Sequence, residues 1–284
     1  MNKVSTETYS LLMHFDLKQA LTMLKKSGFE YFNYDLCKMQ EYDFRTDKSF
    51  KSGDPLNSRK YKSEILKIKE TADSLSIKCN QTHAPFPIHV KKIYKAQKRA
   101  IIATSLLGAE IMVIHPDTFK SVDENVRIIK PIAKFAQKYN VKIAVENAFN
   151  WSGTHAIYCA GSTPESLLEL INKINEPNVG ACLDIGHAEV LGEIGGAINF
   201  IKVLKNKIIA THLHDNDRIN DKHQIPFGGS MDIKGICEAF KKENYQGFLT
   251  LEAINYLKTN PSKPQKMVDD LYDSIMKMNK LING

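Results

Sequence analysis

Histidine and carboxylate side chains recur at the ends of short apolar runs in this chain: His83, His115, Glu146, Asp184, His187, His212, Asp221, His223 and Glu252. Imidazole nitrogen and carboxylate oxygen are ligands that divalent transition metals favour. Placed at or just beyond the C-terminal tips of successive parallel strands, groups distant in sequence converge on one mouth. The pattern predicts a metal-dependent active site.

Glu146 closes Val-Glu-Asn and Glu252 closes Leu-Glu-Ala, each after a run that should be buried. An unpaired carboxylate there carries a large desolvation cost, which a shared cation offsets; a buried ion pair or a place at the wet rim is the structural alternative. Along Val141 to Glu146, alternation sends Val141, Ile143 and Val145 outward and leaves Ala144 and Glu146 inward. Gly247 to Glu252 repeats the pattern, with Leu249 and Leu251 outward and Glu252 inward. Both glutamates are expected to face one barrel mouth.

Asp184 and His187 stand in Leu-Asp-Ile-Gly-His, where Gly186 is expected to ease a bend so that both side chains reach a common ion or substrate. An Asp in such a place also serves as a helix N-cap. The run Thr211-His-Leu-His-Asp-Asn-Asp217 gives His212 and His214 the same parity, and Asp221-Lys-His223 follows in the same loop. His83 precedes Ala-Pro and His115 precedes Pro-Asp, so proline stops each strand and presents the imidazole at a rigid edge. His14, His89 and His155 lack such a context.

The elements that must position these residues follow from apolar period. Short β-rich runs at 4–10, 29–35, 78–83, 110–115, 141–146, 179–184, 207–213 and 247–252 alternate with helical patterns. The helical stretches are 16–27, 57–75, 89–107, 122–139, 163–175, 194–205, 232–243 and 264–281. Eight βα repeats without a linker or composition break predict an α/β fold, one closed (β/α)8 TIM barrel over residues 1–284. The first strand lacks the G-x-G-x-x-G that an open dinucleotide-binding sheet would place after it. Residues 36–56 and 214–231 are longer than a barrel needs and are expected to cover a substrate.

Hydrophobic residues make up 43% of the 284 and charged residues 25%, which suits a folded chain with a sizeable core rather than disorder. The start has no apolar core of a signal peptide, and the longest mainly apolar run, Ile101 to Pro116, is broken by Glu110, so no membrane span is expected. Five widely spaced cysteines without a C-x-x-C pair point to reduced thiols and a cytoplasmic location. The net charge of +7 would favour an anionic partner, but lysines such as Lys25, Lys26, Lys91, Lys92, Lys205 and Lys207 are spread near helix ends, as on a solvated surface.

Read in order, His-Ala-Pro, His-Pro, Val-Glu-Asn, Leu-Asp-x-Gly-His, His-Leu-His-Asp-Asn-Asp, Asp-x-His and Leu-Glu resemble the xylose-isomerase-like TIM-barrel superfamily, from about residue 80 to 253. That superfamily includes sugar and sugar-phosphate isomerases and epimerases, and endonuclease IV. In the isomerase branch, the resemblance implies one Mn2+, Mg2+, Co2+ or Zn2+ held by Glu146, Asp184, His212 and Glu252, with His187 near a small sugar or sugar-phosphate substrate. His212 rather than His214 takes the ligand role because the family ligand stands three residues before the aspartate, here Asp215. Glu146 and Glu252 would exchange a carbon-bound proton through an enediolate that the cation stabilises.

In the endonuclease IV branch, the resemblance implies three Zn2+, with His83, His115, His187, Asp221 and His223 completing two further sites, and abasic DNA as the nucleic-acid substrate. Two features pull away from that branch: Thr8-Tyr-Ser10 stands where endonuclease IV has Gly-Ala-His-Val-Ser, and no loop combines arginines with aromatics to grip a bent duplex. A third departure, Phe227-Gly-Gly229 in place of the family's Gly-Glu-Gly, predicts different substrate contacts in either branch.

Overall fold

Each apolar run becomes a parallel strand, and each amphipathic stretch packs a helix against the outside of the ring. The computed structural model describes residues 1–40, 42–43, 48–49, 55–190, 196–258 and 262–284. The strands are β1 (Val4–Glu7), β2 (Tyr31–Asp35), β3 (Lys78–His83), β4 (Ile111–Ile114), β5 (Lys142–Glu146), β6 (Val179–Asp184), β7 (Ile208–His212) and β8 (Leu249–Leu251). Each pairs with the next in parallel register from β1 to β7, and β1 also pairs with β8. Between β7 and β8 the ring closes through Leu213, whose N–H donates to the Thr250 carbonyl at 2.8 Å and whose carbonyl accepts from Glu252 N–H at 3.0 Å. This is the eight-stranded (β/α)8 barrel expected from the alternation.

The outer helices are α1 (Leu17–Ser27), α2 (Tyr61–Ser74), α3 (Lys91–Leu106), α4 (Val122–Gln137), α5 (Pro164–Ile174), α6 (Ala197–Leu204), α7 (Ile233–Lys242) and α8 (Pro264–Asn283). Local chemistry fixes several starts. Asp16 with Gln19 and Ser121 with Glu124 form capping boxes, and Thr163 caps α5 with Pro164 in its first turn.

The inside–outside alternation holds on β5 and β8. Ile143 and Val145 join the large core between strands and helices with Leu249 and Leu251, whereas Ala144 joins a small separate cluster with Val113, Cys182 and Ala210 inside the ring. None of the six lysines named above is buried, and all five cysteines are free thiols. No helix among the described residues is long and apolar enough to cross a membrane.

Two expectations about the connections change. Residues 8–10 leave the first strand, because the Glu7 carboxylate accepts from both the N–H and the hydroxyl of Ser10 and turns the chain into a short helix, Tyr9–Leu12. A third long connection accompanies the two foreseen: residues 147–162 after β5 carry an antiparallel hairpin, Asn150–Trp151 with Ala156–Ile157. Of the foreseen 36–56 segment, a 3-10 turn (Leu36–Met39) and paired Tyr42–Asp43 and Lys48–Ser49 are described; residues 41, 44–47 and 50–54 lie outside the described residues.

Candidate metal centre

The strand tips deliver the predicted residues to one end of the ring. His83, Glu146, Asp184 and His212 are the last residues of β3, β5, β6 and β7, His115 directly follows β4, and Glu252 directly follows β8. His187 sits on a short helix after β6 (Ile185–Val190), and Asp221 and His223 come from the loop after β7. Seven of the nine line a cavity of about 620 Å3, while Asp184 and His212 are buried against its floor residues.

The ligand atoms of eight of the nine, all but Asp184, fall into three groups. His83 Nε2 and His115 Nε2 are 3.1 Å apart, and they lie 3.3 and 2.9 Å from Glu146 Oε2. His212 Nδ1 stands 2.9 Å from Glu146 Oε1 and 3.4 Å from Glu252 Oε2. Asp221 Oδ2 lies 3.0 Å from His223 Nε2 and 3.4 Å from His187 Nε2. Glu146 therefore spans the first two groups, one oxygen in each.

The tandem histidines divide the carboxylates between them. His212 faces the two glutamates, while His214 Nε2 faces the aspartates, 3.0 Å from Asp184 Oδ1 and 3.8 Å from Asp221 Oδ1. Asp184 also caps the short helix after it, accepting from His187 N–H at 2.7 Å. Its two sequence readings, N-cap and site carboxylate, are thus compatible.

These groups fit metal ions. Tetrahedral ligands about 2.1 Å from one zinc sit roughly 3.4 Å apart, close to the separations within each group. Glu146 Oε2 and Asp221 Oδ1 are buried without a hydrogen bond, which a folded protein rarely tolerates unless another partner exists. Three imidazoles are also held for ligation. The Nδ1–H groups of His83, His187 and His223 donate to the carbonyls of Ala84 (3.1 Å), Asn147 (3.0 Å) and Glu252 (2.8 Å), leaving each Nε2 turned toward carboxylates.

Electrostatics separate the two glutamates. Burial would raise the Glu146 carboxyl, but His212 and His115 hold it well below the usual carboxylate range. Burial, reinforced by the Glu146 and Asp184 charges, pushes Glu252 well above that range. Burial likewise disfavours the charged form of His187, yet Asp184 and Asp221 raise its pKa well above the ordinary imidazole value.

Gly186 has a different reason from the one its sequence suggested. Its φ is not in the left-handed region; instead, a Cβ there would stand 1.9 Å from His214 Cε1, so glycine lets the His214 ring lie against the helix backbone. At the departure from Gly-Glu-Gly, Phe227 adopts φ of +70°, a conformation glycine enters freely and a bulky residue rarely does. Its ring lies beneath Lys277 Nζ at 3.8 Å.

Sequence reasoning missed several groups at the mouth. Cys37 Sγ lies 3.2 Å from His83 Nδ1 and donates to the Ala84 carbonyl, with Asp35 accepting from Cys37 N–H at 2.7 Å. His89 and Asp117 line the same cavity. For Asp117 a signal was present, two residues beyond His115 in His-Pro-Asp; for Cys37 and His89 the chain offers none beyond residue type.

Known proteins resemble this architecture and its motifs. The family described as xylose isomerase-like TIM barrel matches residues 21–274. An uncharacterized protein of Methanocaldococcus jannaschii is 30% identical over 158 residues, 52% of this chain and 52% of its own length. A probable endonuclease 4 of Mycoplasmopsis pulmonis is 29% identical over 162 residues, 49% of this chain and 54% of its own. The chain thus spans about half the length of these curated relatives. A crystal structure of a D-tagatose 3-epimerase-like protein shares the fold, with a TM-score of 0.73 over 99% of this chain and 98% of that one, at 22% identity.

Proposed function

This chain belongs to the xylose isomerase-like TIM-barrel family, and from that premise we propose that it is a metal-dependent isomerase or epimerase of a sugar, sugar phosphate or related polyol. The observation that carries the reading is the pair of buried glutamates, Glu146 and Glu252, which line one cavity of small-molecule size and share His212 between them. The fold likeness to a D-tagatose 3-epimerase-like protein supports it.

Glu146, Asp184, His212 and Glu252 would hold the ion. When bound, it supplies positive charge to the substrate oxygens flanking the reacting carbon. Glu146, kept ionised by the imidazoles around it, takes the carbon-bound proton as general base. Glu252 would return a proton from the other side. Phe86, stacked on His115 at 4.6 Å, and Phe149, edge-on to His187 at 5.3 Å, wall the site against water.

A second reading is favoured by the other two ligand groups. His83 and His115 with Glu146, and His187 with Asp221 and His223, would hold two further ions, giving a three-zinc phosphodiesterase of abasic DNA. The relatives named probable endonuclease 4 support it.

Protein loaded in turn with Mn2+, Mg2+, Co2+ and Zn2+ and incubated with ketoses in deuterated water separates the two. The proposal expects deuterium at the carbon beside the carbonyl, with Glu146→Gln and Glu252→Gln each at least ~100-fold slower. About one ion per chain accompanies the isomerase reading and about three zinc the nuclease reading. Turnover that survives both substitutions, or efficient cleavage of an abasic duplex without hydrogen exchange, overturns the assignment.

A further inference from the structure

The cavity has a second polar pole outside the nine residues. Asp117 is only 2% exposed and lines the cavity from the segment after β4. Asn125 fixes its backbone: Asp117 N–H donates to Asn125 Oδ1 at 2.7 Å, and Asn125 Nδ2 donates to the Asp117 carbonyl at 3.0 Å. One carboxylate oxygen, Oδ1, accepts from Phe119 N–H at 3.0 Å. The other, Oδ2, is buried and makes no hydrogen bond, although His89 Nδ1 stands 3.4 Å away. The His89 side chain is 35% exposed and lines the same cavity.

A rigid carboxylate oxygen left without a donor costs stability, so its placement calls for a ligand that donates. Phe86, Pro87, Pro116 and Phe119 line the same cavity with apolar surface suited to the C–H faces of a sugar. A hydroxyl supplies the missing proton and still accepts from an imidazole N–H. A terminal phosphate dianion has only acceptors to offer and meets like charge at Asp117. Among the described residues lining the cavity, Lys258 is the sole lysine or arginine, and it is exposed. Among the described residues, then, the positive charge is not concentrated at this cavity.

We propose that Asp117 and His89 form a subsite for a substrate hydroxyl, and that this subsite selects a neutral, hydroxyl-terminated sugar or polyol over its phosphate ester. The assignment rests on the isomerase or epimerase reading and narrows its substrate class. It does not depend on the number of ions bound.

Calorimetric binding of D-tagatose, D-fructose and their 6-phosphates to the metal-loaded protein tests it, together with KM and kcat from deuterium exchange. The wild type should bind a free ketose at least about tenfold more tightly than its phosphate. Asp117→Ala and the milder Asp117→Asn should each raise KM about tenfold, with kcat and metal content nearly kept, and should narrow the discrimination. His89→Ala should move KM in the same direction. Equal or tighter binding of the phosphates, or an unchanged KM in all three variants while exchange persists, overturns the subsite and leaves the functional reading standing. Neither binding nor exchange with any ketose overturns both.

Discussion

Glu146 is the hinge of the site because its two oxygens face different imidazole sets, so its loss should disturb more ligand contacts than the loss of any other residue here. Glu7, at the tip of β1, presents a different problem: burial pushes its carboxyl up to about 6, against the lowering effect of Ser10. A raised carboxyl keeps its proton longer in the folded chain than in the unfolded one. Stability is therefore full below the unfolded value of 4.5 and falls as pH rises toward about 6, by roughly 2 kcal/mol for a shift of this size. Thermal unfolding across that window should show wild type losing about this much stability relative to Glu7→Gln; parallel profiles would remove Glu7 as its source. Seven of the nine candidate residues stand in motifs at a strand end, and Asp221 and His223 share the loop that follows the seventh strand. The meeting of Asp117 with His89 has no such mark, since it depends on the path of two loops, and no period in the sequence records it.

Strand tips need fastening as well as correct side chains, and Asn147 fastens two of them. Its Oδ1 accepts from Asp184 N–H and its Nδ2 donates to the Asp184 carbonyl, both at 2.8 Å, so β5 and β6 end in fixed relation and carry Glu146 and Asp184 with them. Asn147→Ala removes both of these bonds in a buried place and leaves the Asp184 N–H without its acceptor, at a cost of roughly 1–3 kcal/mol before relaxation or water entry. Metal affinity, measured by competition with a chromogenic chelator, should fall about 10–100-fold, as for other residues that orient ligands. An unchanged affinity in a folded variant would assign Asn147 to stability alone. At this scale the sequence was most informative: all eight strands and eight outer helices lie where apolar period placed them. It failed where side chains override period, as at Glu7 and Ser10, and where an element is too short to show a period, as in the two-residue strands of the 150–157 hairpin. Gly186 shows the same limit, since its need for space comes from His214, far along the chain.

Across the whole molecule, the candidate centre draws side chains from the ends of six consecutive strands, β3 to β8, and from two loops beyond them. Four carboxylates, Glu146, Asp184, Asp221 and Glu252, crowd that end of the ring, and their repulsion opposes closure unless cations or protons offset it. The ring is also thinnest there, because β7 and β8 meet through the Leu213 bridge rather than a full ladder, helped by the Thr211 hydroxyl donating to the Phe248 carbonyl at 2.9 Å. Bound metal would then act as a stitch across the barrel mouth as well as a reagent. An ion present at about 100–1,000 times its dissociation constant stabilises the folded state by roughly 3–4 kcal/mol. For a chain of this length, that corresponds to a rise in unfolding temperature on the order of 5–10 °C. Protein stripped by chelator and confirmed metal-free should melt lower by that amount and recover when Zn2+ or Mn2+ is restored. Glu146→Gln should lose most of the recovery, whereas Asp117→Asn should keep it. Identical melting of stripped and reloaded protein would mean that the ring closes without help from the site, and that these carboxylates are balanced by protons and imidazoles alone.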